Sequence, residues 1–243
     1  MDIYSRIITK SKSGGKQIAV LIDPDKHASS DFISLAKRMS TFAIDYFFIG
    51  GSLLSKDLLD ECLIAFKQET NIPLVIFPGG IMQVNSKADA LLFLSLVSGR
   101  NPELLIGKHV ESVPYILDAN LESISTAYLL IDGGNITTAQ YISNTIPIPS
   151  DKPEIAALTA KAGEMIGMKM VYLDAGSGAK NSIPKQLIHS VKNMITVPLI
   201  VGGGIKTAKE AQEKLEAGAD LIVVGNVLEK NESILKEIIS VVK

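Results

Sequence analysis

A single (β/α)8 TIM barrel of the α/β class is what this sequence predicts, on three observations. Short apolar runs alternate with amphipathic stretches from one end of the chain to the other. The 243 residues match the roughly 250 typical of such a barrel. Three glycine-rich segments in the second half run straight off apolar runs: Tyr172-Leu173-Asp174-Ala175-Gly176-Ser177-Gly178, Val201-Gly202-Gly203-Gly204-Ile205 and Val224-Gly225-Asn226. Glycine after a strand lets the backbone turn sharply and brings bare N–H groups against a ligand. Three such turns after the last three strands suit one pocket that holds a phosphate by backbone amides.

Strands are expected at residues 17–22, 45–49, 73–77, 90–94, 127–131, 170–173, 198–201 and 220–224. Each is a nearly continuous apolar run, as parallel strands covered on both faces should be. Helical patterns fall at 57–68, 153–166, 184–195, 207–217 and 232–242. Thr207 and Glu210 have the spacing of a capping box, and Gly218 stands where that helix should stop. The segment 79–86 after strand 3 is too short and glycine-rich for a barrel helix, so an irregular or missing helix is expected there. The segment 137–149, with Pro147 and Pro149, reads as a loop able to move over the site.

No Pro/Ser-rich linker or composition break divides the chain, so residues 1–243 are expected to form one domain. An apolar fraction of 47% indicates a well-buried interior. A net charge of −2 gives no support for nucleic-acid binding, which needs a basic face. The single cysteine, Cys62, excludes an internal disulfide framework and lies in an apolar helical run as buried packing. No run approaches the roughly 18 apolar residues of a membrane helix, and the start lacks a secretory apolar core. A cytoplasmic protein is expected, with Lys10, Lys12 and Lys16 forming a solvated basic start.

Four places can carry chemistry. Asp23, off the end of strand 1, would point into the barrel mouth, where it can hold Mg²⁺, a hard cation that takes oxygen ligands; equally, Asp23-Pro24 can simply make a turn. Ser52, off strand 2, can lend a hydroxyl to the same ion or cap the next helix. Asp174, ending strand 6, can take a proton from a substrate hydroxyl as general base or cap its own turn. Arg100, after strand 4, offers a planar fork for phosphate oxygens or a solvated loop side chain. The three histidines show no metal spacing, and neither a nucleophile elbow nor a Gly-Lys-Ser/Thr phosphate loop is present.

On Ile22-Asp23-Pro24-Asp25, Gly50-Gly51-Ser52 and the three glycine-rich segments, taken in order, the chain resembles the geranylgeranylglyceryl phosphate synthase family, the PcrB-like prenyltransferases, and in particular its longer, second group. The resemblance implies a TIM barrel that joins sn-glycerol 1-phosphate to a polyprenyl diphosphate such as geranylgeranyl diphosphate in an ether bond. It implies Mg²⁺ on Asp23 and Ser52, and glycerol phosphate bound along Tyr172, Leu173, Asp174, Ala175, Gly176, Ser177 and Gly178, at Gly203 and Gly204, and at Gly225 and Asn226. It also implies a homo-oligomer, dimer or hexamer. Two positions depart from the family. Leu21 stands where many members carry lysine, and Asp174 stands where others carry glutamate. The prenyl tail would need an apolar groove, expected around residues 77–81 and 96–106. The competing expectations are a phosphosugar isomerase or lyase of the phosphate-binding TIM-barrel type, since such barrels share the two-loop phosphate site, and a non-catalytic sensor of a phosphate ligand.

Overall fold

The computed structural model describes residues 2–225 and 232–243. Eight parallel strands close into a barrel in sequence order: β1 Gln17–Ile22, β2 Tyr46–Ile49, β3 Leu74–Ile76, β4 Ala90–Leu96, β5 Glu122–Leu130, β6 Met170–Asp174, β7 Leu199–Gly202 and β8 Leu221–Val224. The expected strands therefore all form. Most bounds shift by a residue or two. β5 is the exception, starting at Glu122 because Ser123, Ser125 and Thr126 hid its first half from a reading of apolar runs.

Side-chain alternation divides the apolar residues into two layers. Ala19, Tyr46, Phe48, Val75, Leu92, Tyr128, Tyr172 and Ile200 fill the barrel interior. Ile18, Val20, Phe47, Leu74, Leu129, Val171 and Leu173 face the surrounding helices. The described helices are α1 Ile3–Lys12, α2 Phe32–Ser40, α3 Leu59–Glu69, α4 Lys108–Asp118, α5 Thr138–Ser143, α6 Pro153–Met165, α7 Lys185–Met194, α8 Ala208–Glu216 and α9 Glu232–Val242. The Thr207/Glu210 capping box is present at the start of α8. Between β3 and β4 only a single 3-10 turn, Ile81–Gln83, is found, so the barrel helix expected to be irregular or missing is indeed missing.

Two expectations are corrected. The segment 137–149 is not all loop: Thr137 accepts the Gln140 N–H and opens α5, and Ile148 bridges to Ile131. Nor is the basic start simply solvated. α1 lies against the bottom of the barrel with Ile3 and Ile7 buried, and Glu122 accepts the N–H groups of Ile3 and Tyr4 at 2.6 and 2.8 Å. Lys10 pairs with Asp45 at 2.5 Å, and Lys16 donates to the Ala219 carbonyl at 2.8 Å.

A repeated device knits this bottom face. Asp45, Asp89 and Asp220 each immediately precede a strand and accept a backbone N–H from the strand before it: Ile18 at 2.9 Å, Leu74 at 2.7 Å and Leu199 at 2.7 Å. Each carboxylate also pairs with a lysine, Lys243, Lys67 and Lys192 respectively. Conservation of shape is thereby assigned to the bottom of the barrel, and the opposite end is left to chemistry. Cys62 is fully buried and unpaired, and burial pushes its thiol up to about 12. Among the described residues, no helix is long and apolar enough to cross a membrane.

Candidate active site

Asp23 follows β1 by one residue, on the same side of the strand as Leu21, whose side chain belongs to the interior layer. Its Oδ1 accepts the Asp25 N–H at 3.1 Å and so caps the 3-10 turn Pro24–Lys26. The turn-making role is therefore real, and it engages Oδ1. The carboxylate keeps 23% of its side-chain surface open, with Lys26 Nζ at 3.9 Å from Oδ2. It sits against the next loop, because a Cβ placed on Gly51 would lie 3.3 Å from Oδ1 and 3.4 Å from Oδ2. Ser52 follows directly. It does not cap a helix, since α3 starts only at Leu59 after Leu58, and it lines a cavity instead. The loop beyond it is tied down by Asp25, which accepts from the Ser55 N–H, the Ser55 hydroxyl and the Lys56 N–H.

One carboxylate and one hydroxyl, both oxygen donors and both at the rim, suit Mg²⁺, which is commonly held by one or two carboxylates plus substrate phosphate and water. Among the described residues there is no cluster of three or more His, Cys, Asp or Glu. The fit is to an ion that shares its coordination with a ligand, not to an all-protein cage.

Across the mouth, Asp174 ends β6 and is only 6% exposed. Tyr128 donates its hydroxyl to Oδ2 at 2.6 Å, and the Gly176 N–H donates to Oδ1 at 2.8 Å. Burial raises the Asp174 pKa, and the two hydrogen bonds offset part of that rise. A carboxyl with a raised pKa is a stronger base and so better matched to take a proton. The departure from glutamate shortens the arm by one methylene, and the two hydrogen bonds fix where the shorter arm ends. Tyr128 was not singled out by the sequence. The structure shows why it matters: Tyr128 registers directly opposite Tyr172 across β5 and β6, so both phenols share the interior face.

The glycine-rich turns after β6 and β7 do meet. Gly203 has φ +80°, and a Cβ on it would lie 2.7 Å from the backbone nitrogens of Ala175 and Gly176 and from Asp174 Oδ1. Only hydrogen fits between them, so the two turns are in direct contact; the Ala175 N–H donates to the Gly202 carbonyl and the Gly176 N–H to Asp174 Oδ1. Gly204 continues this turn, half-buried. Gly176 is buried, whereas Ser177 and Gly178 are exposed at the rim. Tyr172 is 1% exposed in the interior, and its hydroxyl packs against Gly202. Leu173 and Ala175 bury their side chains in the outer layer, so they can serve a ligand only through the main chain. Gly225 follows β8, and a Cβ on it would lie 3.4 Å from Leu21 Cβ. The apolar Leu21 thus occupies the wall beside the third glycine turn. Asn226 lies outside the described residues. Arg100 is exposed and turns one guanidinium nitrogen back on its own loop, donating to the carbonyls of Gly99 at 2.7 Å and Val97 at 3.3 Å.

A cavity of about 380 Å³ runs from this mouth through the side of the barrel that the missing helix leaves uncovered. Gly51, Ser52, Phe77, Gly79 and Tyr128 line its mouth end, and Phe93, Leu104 and Ile116 line it further along. Most of its wall is apolar. The groove expected around residues 77–81 and 96–106 is therefore present, and it extends onto α4, which sequence reasoning missed. Pro114 inside α4 and the π-type turn at Glu103–Gly107 before it disguise a helix whose inner face carries His109, Ser112 and Ile116. His109 is buried and meets Ser95 Oγ through Nε2 at 2.9 Å.

Comparison with known proteins agrees with this geometry. The PcrB family model matches residues 9–242. A geranylgeranylglyceryl phosphate synthase of Chitinophaga pinensis is 54% identical over 97% of this chain and 93% of its own length. One from Spirosoma linguale is 44% identical over 95% of this chain and 93% of its own. The crystal structure of (S)-3-O-geranylgeranylglyceryl phosphate synthase from Thermoplasma acidophilum, in complex with its substrate sn-glycerol-1-phosphate, superposes with a TM-score of 0.93 at 30% identity. That match covers 100% of this chain and 99% of the other. With that family resemblance now carried by the fold, by the full length and by the joined glycine turns, the isomerase and sensor expectations fall away: this chain belongs to the PcrB family.

Proposed function

We propose that the protein is a Mg²⁺-dependent prenyltransferase that joins sn-glycerol 1-phosphate to geranylgeranyl diphosphate, or another polyprenyl diphosphate, in an ether bond and releases diphosphate. The observation that carries this is the meeting of two glycine-rich turns beside a buried carboxyl at the mouth, next to an apolar cavity. A phosphate ligand and a hydrocarbon ligand are thereby brought together.

Glycerol phosphate is held at the turns 174–178 and 203–204, with Gly225 beside them; Asn226, which the resemblance adds to this set, lies outside the described residues. Fixing it there turns an encounter into an orientation. The prenyl tail lies along the cavity, where each buried CH₂ contributes about 0.8 kcal/mol. Asp23 and Ser52 would hold the metal at the rim, where it would supply Lewis-acid and template chemistry toward diphosphate. The allylic C–O bond breaks with its electron pair leaving on diphosphate. The glycerol 3-hydroxyl oxygen forms the new C–O bond, and its proton passes to Asp174. A weak nucleophile suffices because the carbon is already electrophilic.

The same reading includes a homo-oligomer, dimer or hexamer. It is supported by large apolar side chains left exposed on and around α4 to α6, among them Val110, Tyr141, Ile146 and Leu158. It also includes a cytoplasmic location, supported by the unpaired buried thiol of Cys62, which makes no demand on an oxidising compartment.

The deciding experiment incubates the purified protein with sn-glycerol 1-phosphate, geranylgeranyl diphosphate and Mg²⁺ and measures a lipid-soluble phosphate product. Product is expected, and its loss on chelation of the metal is expected with it. No product across a series of prenyl lengths would defeat the assignment.

A further inference from the structure

Between β3 and β4, where the barrel has no helix, Gln83 closes the 3-10 turn and is only 6% exposed. Its Nε2 donates to the Gly51 carbonyl at 2.9 Å. A carbonyl can only accept, so this contact fixes which end of the amide faces Gly51. The other end, Oε1, is buried and has no hydrogen-bond partner among the described residues; a Cβ on Gly50 would lie 2.9 Å from it. A buried acceptor without a donor works against folding, and a methionine would fill the same space without one. The amide is therefore explained by what its N–H end does. It holds one loop against another. A Cβ on Gly79 would run into the carbonyls of Gly51 and Ser52, and one on Gly50 into the carbonyl of Phe77. The segment 77–83 is thus pressed onto 50–52, and Gln83 adds a side-chain hydrogen bond across the contact. Gly51 meets Gln83 through its carbonyl and faces Asp23 with its α-carbon, since a Cβ there would lie 3.3 Å from Asp23 Oδ1. Ser52 is the next residue.

We propose that Gln83 is a positioning residue for the metal end of the site: it fixes Gly51 by its carbonyl and thereby sets how the Ser52 hydroxyl stands to the Asp23 carboxylate. The proposal rests on the reading that places Mg²⁺ on those two groups. Gln83 acts on them through the main chain, not by touching the ion. A metal that takes few protein ligands and completes its shell with phosphate and water depends on those few being held still, and groups that orient the ligands tune affinity nearly as strongly as the ligands themselves. The glycine turns at 174–178 and 203–204 lie across the mouth, so an effect carried by Gly51 belongs to the metal end alone.

The test uses the full chain, the variants Gln83→Met and Gln83→Asn, and calorimetric titration of inorganic diphosphate at a series of Mg²⁺ concentrations. Gln83→Met keeps the length of the side chain without its donor, and Gln83→Asn keeps the donor on an arm one methylene too short. Both are expected to raise the Mg²⁺ concentration that half-saturates diphosphate binding by about fivefold, the equilibrium effect of one hydrogen bond, and to leave the affinity for sn-glycerol 1-phosphate unchanged. Turnover lost at low Mg²⁺ should return at high Mg²⁺. Gln83→Met should melt close to the unsubstituted protein, because it removes the unpartnered acceptor together with the bond. An unchanged Mg²⁺ requirement in both variants would overturn the proposal. So would weakened glycerol phosphate binding alongside a lowered melting temperature, which would make Gln83 a general support of the fold. Absence of Mg²⁺-dependent diphosphate binding by the unsubstituted protein would instead overturn the placing of the metal on Asp23 and Ser52.

Discussion

Substituting Gly203 by alanine tests the joining of the two glycine turns directly. A residue with a side chain at φ +80° costs about 1–2 kcal/mol of backbone strain. The added Cβ would also lie 2.7 Å from two backbone nitrogens and a carboxylate oxygen, none of which is the end of a flexible side chain. Forcing it in costs a further ~1–3 kcal/mol, as in other overpacked sites. The sum of about 2–5 kcal/mol is below the 5–15 kcal/mol stability of an ordinary domain, so the chain folds, with the turn at 174–176 displaced. Gly14→Ala is the control. Its φ is +78°, but nothing lies within 4 Å of the new Cβ, so it carries the strain without the collision. At roughly 2–4 °C per kcal/mol for a chain of this size, Gly14→Ala should lower the melting temperature by about 2–8 °C and bind sn-glycerol 1-phosphate normally. Gly203→Ala should melt lower still and lose at least about tenfold in glycerol phosphate affinity, since ~1.4 kcal/mol suffices for that. Calorimetric titration and thermal melts of the two variants are the assay. If Gly203→Ala melts like Gly14→Ala and binds like the unsubstituted protein, the two turns do not make one anion cradle.

Asp23→Asn should abolish turnover and the response of activity to Mg²⁺ while leaving glycerol phosphate binding nearly intact; unfolding would show that the cap on the Pro24–Lys26 turn is its main role. Asp174→Asn should abolish turnover yet stabilise the fold at alkaline pH. Burial raises the Asp174 pKa, so the folded protein holds a costly charge above that pKa; the gain in melting temperature should shrink as pH falls through the raised pKa and vanish below the unfolded value of ~3.9, and a pH-independent gain would contradict the assignment. Glu164 behaves in the opposite sense. Burial pushes it up, but Lys161 and the hydroxyl and N–H of Thr196 outweigh this and hold it at about 2. Its contribution is present above ~4.3 and lost as pH falls toward 2, so Glu164→Gln should destabilise by ~1 kcal/mol at pH 7 and converge with the unsubstituted protein in strong acid.

The strands and the glycine cradle were legible because each rests on local chemistry. Apolar runs such as 198–201 can only be buried strands in a chain of this pattern, and glycine at positions such as 203 answers a purely backbone requirement. The gap after β3 was legible for the same reason, since residues 79–86 cannot build a helix. What escaped was set by distant partners. α1 is polar over most of its length, and only its docking under the barrel, through Ile3, Ile7 and Glu122, shows why it is ordered. Tyr128 looked like one more aromatic strand residue, and its contact with Asp174 spans 46 positions. α4 was masked by Pro114, which stands inside the helix. Asp23 was legible as two alternatives, and the structure realises the turn while leaving 23% of the side-chain surface exposed.

The uncovered side of the barrel has a consequence beyond access. β3 is only three residues long, and it meets β4 through just two registered pairs, Val75 with Ala90 and Ile76 with Leu91. The seam with the fewest rungs is thus the one that has no helix to shield it. A hydrocarbon lying there would occupy the layer that a helix supplies elsewhere around the ring, so the substrate itself becomes a structural part of the barrel while it is bound. Tight grip on the tail and firmness of the wall then rise and fall together, and release of the lipid product reopens the thinnest part of the fold.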